Sequence, residues 1–348
     1  MNSLSGDVLD SAKVSSWMEH NVEGTTAPFS FSLIAGGRSN LTFKITDARG
    51  NAYALRRPPS SHILPTAHDM AREYRVISAL ASTLVPVAHP LALCEDVTVT
   101  GSPFYVMSFV EGTIIREAAD CDGTLGPTDR TLASQSMVDT LVTLHSLDVD
   151  AIGLGDLGPR ESYIERQLKR WMGQYAASMD TLGKPAGPAD PVIRAYDRLH
   201  ASVPTAQRTS LVHGDYRLDN IVLDDNASVK AVLDWEICAL GDPLADAGLL
   251  LVYWAEKTDE SPLVESPATA LEGFYSRDEL IARYAQRSGL DAGNIEYYMA
   301  FGYWKLACIL TGVYARYVSG AAGGDRTSVD RYAAIVEWLA SLALSLCI

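Results

Sequence analysis

The chain contains 348 residues, 47% of them hydrophobic and 20% charged, and carries a formal net charge of −15. This length predicts two lobes rather than one small core, and the composition is ordinary for a globular protein. The negative charge argues against nucleic acid as a partner, because a phosphate backbone attracts basic surfaces.

Signals for export, membrane insertion or metal-cysteine chemistry are lacking. Segment 1–23 is polar and acidic, without the apolar core of a signal peptide. The longest apolar run, 247–255, is too short to cross a bilayer. The five cysteines are scattered and form no C-x-x-C pair, a pattern that favours neither a disulfide frame nor a zinc site. We therefore expect a cytoplasmic protein without membrane contact, and the sequence does not identify a protein partner.

Residues 1–110 read as a small α+β lobe. Short strand-like runs separated by turn residues predict an antiparallel sheet, and one amphipathic segment predicts its main helix. The expected strands are 29–34, 41–46, 52–56, 85–93 and 104–110, and the expected helix is 68–83.

The loop between the first two strands is rich in glycine and small polar residues. Such a hairpin loop can close over phosphates with its backbone N–H groups, although a Gly-Gly hairpin is often only a turn. The candidate nucleotide-binding residues here are Gly36, Gly37, Ser39 and Asn40.

A cation and a carboxylate follow in the order that nucleotide binding requires. Kinases place a cation on the third strand and hold it with a helix carboxylate, so that it can bind the α and β phosphates. Arg56 and Glu73 occupy those places, although an ordinary surface salt bridge is the alternative. Backbone groups at Ser108 and Val110, where the lobes should join, are expected to hydrogen-bond the adenine edge.

Residues 111–348 read as a larger, mostly helical lobe. Apolar spacing predicts its helices, and Asp242-Pro243 is typical of a helix start. The expected helices are 131–147, 162–175, 245–254, 277–288, 295–318 and 327–346.

The stretch His213 to Asn220 has the spacing H-x-D-x-x-x-x-N, and Asp234 follows fourteen residues later. In phosphoryl transfer this spacing supplies a base for a hydroxyl, at Asp215, and an amide ligand for a metal, at Asn220. Asp234 supplies a second metal ligand. The alternative is that these side chains only cap turns.

Two β-rich runs that flank the turn-rich segment 224–228 predict a β-hairpin. A turn centred on Ala227 would place Asn220 directly opposite Asp234, with Cβ atoms about 5 Å apart. Mg²⁺ prefers oxygen ligands of this kind and completes its shell with water and phosphate.

These motifs resemble the aminoglycoside phosphotransferase and choline kinase group of the kinase-like superfamily, and especially the kinase-like domain fused to some acyl-CoA dehydrogenases. The resemblance covers about residues 30–320. It implies a two-lobed kinase-like fold, with ATP and Mg²⁺ as cofactors. Asp215 would be the catalytic base, with Asn220 and Asp234 as metal ligands and Arg56 replacing the usual lysine. His213 and Asp246 would support the catalytic loop.

The acceptor is less well indicated. The helix 162–175 carries a polar arc beside its apolar face, and a similar aromatic position lies on helix 295–318. Candidate substrate residues are Tyr163, Arg166, Gln167, Arg170 and Trp304, although solvated or core positions are the alternative.

The resemblance suggests a small-molecule hydroxyl acceptor, either a hydroxyacyl compound or its CoA thioester. An aminoglycoside or choline-type kinase is the alternative, and the net charge mildly favours a polycation. A nucleotide-binding pseudokinase is an alternative of another class. A protein kinase is disfavoured because only five residues separate Glu236 from Asp242, which leaves no room for an activation segment.

Overall fold

The computed structural model describes residues 9–36, 40–59, 69–184, 187, 190–259, 263, 266–319 and 329–347. The chain forms two compact units. The first unit comprises Met1–Ile114, Ile152–Leu154 and Asn220–Ile237, and the second comprises Ile115–Ala151, Gly155–Asp219 and Cys238–Ile348. The division into lobes at residues 110 and 111 stays a prediction.

A five-stranded antiparallel sheet dominates the first unit, and its strand order is β1-β2-β3-β5-β4. Its strands are β1 (Ser30–Gly36), β2 (Leu41–Thr46), β3 (Ala52–Arg57), β4 (Pro90–Cys94) and β5 (Phe104–Ser108). The predicted antiparallel α+β arrangement is therefore confirmed, and most strand bounds differ from the prediction by one or two residues. Strand β4 is the exception, since it begins five residues later than expected.

The helices of this unit are α1 (Ser11–Asn21), α2 (Met70–Leu80) and the single-turn α3 (Val97–Thr100). Helix α2 is the predicted main helix, and it begins after Asp69, whose carboxylate caps the N–H of Arg72. Sequence reasoning missed α1, which buries Val14 and Met18 against the sheet. Its signal was Asp10, whose side chain caps the first turn.

The predicted hairpin forms between β7 (Ile221–Leu223) and β8 (Val229–Val232), but its register differs by one residue. The turn is centred one residue earlier than expected, because the N–H of Asp224 bonds to the carbonyl of Ser228 at 2.9 Å. The pairing then shifts between Val222 and Leu223, so that Lys230 is an extra residue. As a result the N–H of Leu233, not of Asp234, bonds to the carbonyl of Asn220 at 2.8 Å. The prediction that Asn220 lies directly opposite Asp234 is therefore wrong.

Helices make up most of the second unit, in agreement with the prediction. They are α4 (Pro127–His145), α5 (Tyr163–Thr181), α6 (Pro191–Ala201), α7 (Pro243–Tyr253), α8 (Arg277–Ser288), α9 (Ile295–Val318) and α10 (Val329–Leu346). Two short strands, β6 (Ser210–Val212) and β9 (Ala239–Gly241), pair antiparallel. Sequence reasoning missed α6 and this strand pair, although Asp190-Pro191 is the same kind of helix start that it recognised at Asp242-Pro243.

Helices α7 and α9 pack closely against each other. A Cβ atom at Gly248 would lie 2.6 Å from the backbone carbonyl carbon of Tyr298, so only glycine fits there. The hydroxyl of Tyr298 donates to Asp242, the residue that caps α7, at 2.7 Å. Within the described ranges, no helix combines the length and the apolar character that a membrane span needs.

Candidate active site

In the first unit, the cation predicted on β3 and the carboxylate predicted on α2 form an ion pair. The Nε of Arg56 lies 3.1 Å from Oε1 of Glu73. Both side chains are largely removed from solvent, since Arg56 is 12% and Glu73 2% exposed. This contact is the one expected from the order of the two residues in the chain, and its burial excludes the alternative of a solvated surface salt bridge.

The Arg56 guanidinium also faces the segment after β8. One Nη contacts the carboxylate of Asp234 directly and lies 3.7 Å from Oε2 of Glu236. Burial disfavours the Arg56 charge, but Glu73 and Asp234 outweigh it and raise the pKa of the guanidinium. Burial raises the pKa of Glu73, and the positive charge of Arg56 opposes that rise. Arg56 is thus a permanent cation shared by three carboxylates.

Asp234 has an unusual backbone conformation. Its φ angle is +65°, a left-handed conformation that non-glycine residues adopt rarely and that is concentrated at functional sites. The chain turns there just after Leu233, the hairpin partner of Asn220. Asp234 therefore lies one residue past Leu233, the residue that pairs with Asn220.

The donor types at Asn220 and Asp234 fit a magnesium ion. A carboxylate and an amide oxygen are both hard oxygen ligands, and Mg²⁺ commonly takes only one or two of them from protein. The Asp234 side chain remains 30% exposed, so its carboxylate can still be reached. No cluster of three or more His, Cys, Asp or Glu side chains suited to a metal occurs in the described part of the chain. Asn220 and Asp234 supply one amide and one carboxylate, so this finding does not bear on the predicted pair.

Asn40 immediately precedes β2 and is 5% exposed. Its amide donates to Oε2 of Glu236 at 2.9 Å, which ties the start of β2 to the segment carrying Asp234. Gly36 is the last residue of β1, paired with Leu41. Gly37 and Ser39, the other predicted phosphate-loop residues, lie outside the described residues.

The end of β5 is partly engaged by the sheet. The N–H of Ser108 donates to the carbonyl of His89 at 2.8 Å, and its hydroxyl accepts from the N–H of His89 at 2.9 Å. Ser108 therefore cannot offer its N–H to an adenine edge without breaking a sheet contact. Val110 lies two residues past the strand, where the chain has left the ladder.

In the second unit, the stretch after β6 forms a sharply turned loop. Gly214 has a φ angle of +85°, which a residue with a side chain would adopt only with strain. The N–H of Asp215 donates to Nδ1 of His213 at 3.2 Å, so the fully buried imidazole closes this turn. Asp215 itself is half-buried, with 27% of its side chain exposed.

Asp246 of α7 holds the same loop from behind. Its carboxylate accepts the N–H of His213 at 2.6 Å and the N–H of Gly214 at 2.8 Å. The imidazole of His145, on α4, lies 3.3 Å from it and contacts the hydroxyl of Tyr284 at 2.8 Å. Burial alone would raise the pKa of Asp246, but His145, His213 and the N–H groups lower it overall. His213 and Asp246 therefore both contact the loop that they were predicted to support.

Arg217 is a further charged neighbour of Asp215 that sequence reasoning did not assign. Its Nε lies 3.3 Å from Oδ2 of Asp215, and one Nη lies 2.8 Å from Oδ2 of Asp219. Its guanidinium also stacks 4.7 Å above the ring of Tyr253. Burial raises the pKa of Asp219, and Arg217 opposes that rise.

Lys305 also contacts the loop and was missed. It lies on α9, is 6% exposed, and donates from Nζ to the carbonyl of Gly214 at 2.7 Å. The available signal was a lone lysine within the otherwise largely apolar run 297–313. Burial lowers the pKa of Lys305, while Asp215 and Asp246 oppose this.

The predicted substrate residues are mostly engaged by the protein itself. Tyr163 is buried and packs its ring against Gly241, where a Cβ atom would lie 2.5 Å away. Trp304 is fully buried and donates its indole N–H to the carbonyl of Val192 at 3.0 Å. Both are core residues, so the structure does not support their predicted contact with a substrate. Apolar packing on one side of each helix outweighed the polar pattern that suggested it.

The remaining members of that arc have local partners. Arg166 donates to the carbonyl of Pro159 at 2.7 Å, and Gln167 accepts from the indole of Trp171 at 3.0 Å. Arg170 lies 5.1 Å above the Trp171 ring. These contacts do not test whether Arg166, Gln167 and Arg170 bind a substrate, so that role stays a prediction.

Comparison with known proteins agrees with these features. A family model described as the phosphotransferase enzyme family matches residues 30–283. The chain is 36% identical over 320 residues to acyl-CoA dehydrogenase family member 11 of Gallus gallus, and 35% identical over 332 residues to family member 10 of Mus musculus. These alignments cover 90% and 92% of this chain but 40% and 29% of the two relatives. The chain thus corresponds to part of each relative.

Solved structures give the same result. A candidate aminoglycoside phosphotransferase from Ralstonia eutropha matches with a TM-score of 0.80 and 32% identity, over 98% of both chains. Choline kinase from Cryptosporidium parvum matches with a TM-score of 0.67 over 97% of this chain and 96% of its own, and its 12% identity shows the fold alone. The predicted kinase-like fold is confirmed, as is the resemblance to the kinase-like part of acyl-CoA dehydrogenase family members.

Proposed function

Because the chain belongs to the phosphotransferase enzyme family, we propose that it transfers the γ-phosphoryl group of ATP to a hydroxyl group of a small molecule. The observation that carries this proposal is the buried Arg56–Glu73 ion pair, which directs a guanidinium to the Asp234 carboxylate. A strand cation, a helix carboxylate and a metal-binding aspartate are the parts with which kinases hold nucleotide phosphates.

On the nucleotide side, Arg56 binds the α and β phosphates while Glu73 keeps its guanidinium in place. Asn220 and Asp234 hold magnesium, which when bound neutralises charge on the β and γ phosphates. In this proposal Gly36, Gly37, Ser39 and Asn40 bind the phosphates, and the backbone at Val110 binds the adenine edge. Ser108 contributes at most its carbonyl, since its N–H belongs to the sheet.

Arginine suits this place for a geometric reason. Its planar fork has five N–H donors, so its Nε can contact Glu73 while an Nη faces Asp234 or a phosphate. A lysine ammonium is a compact charge with three donors and lacks this fixed planar geometry. The replacement of the usual lysine is therefore compatible with turnover, and it does not by itself favour a pseudokinase.

On the acceptor side, Asp215 accepts the proton of the attacking hydroxyl. Its backbone is held by contacts to His213, and the preceding residues by contacts to Asp246. Such rigid support matters because a base displaced by a fraction of an ångström loses its alignment with the hydroxyl.

For the acceptor we favour a hydroxyacyl compound, either free or as a CoA thioester. Support comes from the relatives, which carry the name of acyl-CoA dehydrogenases and contain the matched region as a part of their length. An aminoglycoside is the second candidate, because the Ralstonia neighbour bears that description and a net charge of −15 attracts polycations.

An acceptor screen with γ-labelled ATP tests the proposal. The panel contains short and long hydroxy acids, their CoA thioesters, aminoglycosides and choline, and labelled phosphate ester is quantified for each. We expect ester formation with a hydroxyacyl compound that requires Mg²⁺. Asp215→Asn should lower the rate of transfer about 1000-fold and leave ATP affinity within about twofold. Asp225→Asn, an identical change at an exposed turn position of the hairpin, is the matched control and should retain full activity.

The outcomes separate the candidates. Ester formed only with aminoglycosides would overturn the acceptor proposal and keep the reaction. Mg²⁺-dependent binding of ATP without transfer to any member of the panel would favour the pseudokinase. Equal transfer by Asp215→Asn and by the parent protein would overturn the role of Asp215.

A further inference from the structure

The peptide group that joins Gly214 to Asp215 is held at both ends. Its carbonyl accepts from Nζ of Lys305 at 2.7 Å, and its N–H donates to Nδ1 of His213 at 3.2 Å. A peptide plane with both polar groups bound has one orientation, and that orientation determines where the Asp215 side chain begins.

The preceding residue is clamped between opposite charges. The N–H of Gly214 donates to Asp246, while its carbonyl accepts from Lys305. Gly214 has a left-handed backbone, with many accessible conformations in a free chain, so it needs external contacts to stay in one of them.

We propose that Lys305 is a positioning residue for Asp215, acting through the Gly214–Asp215 peptide plane. This inference rests on the proposed function, in which Asp215 is the base. Lys305 does not touch the acceptor in this account. It prevents the peptide from turning, so the Asp215 carboxylate stays aimed at the hydroxyl that it deprotonates.

Burial and charge indicate that Lys305 serves more than stability. Burying an ammonium is costly, and an apolar side chain of similar size would usually stabilise a core at least as well. Lys305 lies in α9 between buried Trp304 and buried Leu306. Asp215 and Asp246 favour the charged form of Lys305 against burial, and its Nζ lies 5.7 Å from the centre of the Trp171 ring. An ammonium directed at one loop carbonyl orients that carbonyl as no apolar residue could.

Hydrogen exchange tests the contact without requiring activity. Lys305→Met keeps most of the length of the side chain and removes its charge, whereas Lys305→Arg keeps a donor. Thr311→Val is the matched control on α9, since the Thr311 hydroxyl bonds within its own helix, to the carbonyl of Ala307. We expect the Asp215 amide of Lys305→Met to exchange at least about tenfold faster, with the amides of α9 unchanged. Lys305→Arg should be intermediate, and Thr311→Val should match the parent protein.

Kinetics then test the link to Asp215. Lys305→Met should lower kcat by about 100-fold, as expected for a misaligned base, and leave the KM for ATP within about twofold. In an Asp215→Asn background, the same change should alter the residual rate by less than about twofold, because the group that Lys305 positions is already gone. If the role of Lys305 were purely structural, Lys305→Met would lower kcat equally in the parent and Asp215→Asn backgrounds and would raise the KM for ATP as well.

Each result decides the proposal. Unchanged exchange at Asp215 in Lys305→Met overturns it, whatever the activity. Faster exchange together with additive kinetic losses also overturns it, since Lys305 then acts independently of Asp215. If the parent protein phosphorylates no acceptor, the proposed function has failed and the reaction role falls with it, while the exchange data still decide whether Lys305 orients the loop.

Discussion

Removal of the Arg56 charge should destabilise the first unit strongly. Arg56→Met keeps most of the side-chain volume but leaves Glu73, which is 2% exposed, as a buried carboxylate without its cation. Breaking a buried ion pair from one side costs about 3–5 kcal/mol, mostly as the penalty of the charge left behind. Because both side chains are well shielded from water, we expect the loss to fall within that range at pH 8.

The loss should depend on pH in a defined direction. Burial already raises the pKa of Glu73, and without Arg56 the pKa should rise further. A carboxyl group with a raised pKa in the folded state favours folding when it is protonated, and the benefit is lost as pH rises through the folded-state value. The deficit of Arg56→Met should therefore be small near pH 4.5 and grow towards pH 8.

Native-state hydrogen exchange of the β3 amides, across a urea series at pH 5 and pH 8, measures the stability of the first unit by itself. Glu73→Gln serves as the matched partner variant. Arg56→Met combined with Glu73→Gln should recover most of the loss, because no charge is then left buried. A deficit of Arg56→Met below about 1 kcal/mol at pH 8, or one that Glu73→Gln leaves unchanged, would refute this reasoning.

Three further outcomes follow from the charges at the site. Asp234→Ala should weaken Mg·ATP binding at least about tenfold yet strengthen metal-free ATP binding, because Arg56 is released to the phosphates. Calorimetry with and without EDTA compares the two affinities, and equal losses in both would contradict this prediction. Arg56→Lys should raise the KM for ATP several-fold with a smaller change in kcat, since a compact ammonium does not reproduce the planar fork that contacts both Glu73 and Asp234. An unchanged KM for ATP in steady-state assays would count against the role of the fork. Asp246→Asn should lose about 2–4 kcal/mol in urea unfolding at neutral pH and reduce kcat, because its amide nitrogen then faces one of the two loop N–H donors. Because the pKa of Asp246 is lowered, its carboxylate contributes to stability above the ordinary aspartate pKa, and this contribution is lost as pH falls below that range. The stability difference between Asp246→Asn and the parent protein should therefore narrow only below about pH 4.

Local patterns in the sequence predicted the parts of the site that lie close together in the chain. The turn-rich segment between two β-rich runs indicated the β7–β8 hairpin, and the spacing from His213 to Asn220 indicated the loop before it. The pairing of Arg56 with Glu73 could also be anticipated, because a strand and the next helix commonly pack against each other.

What sequence reasoning missed depends on contacts between distant segments. The shift that places Lys230 as an extra residue is a packing outcome without a sequence signature, so the register at Asn220 was off by one. Lys305 lies 91 residues from Gly214, and only the fold brings them together. Tyr163 was predicted from a polar arc and Trp304 from an aromatic position, and both are buried, because helical periodicity does not show which neighbours cover a residue.

Transfer of labelled γ-phosphate from ATP to a small-molecule hydroxyl, followed in parallel for the parent protein, Asp215→Asn and Asp225→Asn, tests the central claim most directly. The account predicts an Mg²⁺-dependent phosphate ester with the parent and with Asp225→Asn, and a rate about 1000-fold lower with Asp215→Asn although it still binds ATP. Ester formation by Asp215→Asn at a rate close to that of the parent protein, or its absence from every hydroxyl acceptor with the parent protein, would contradict the account.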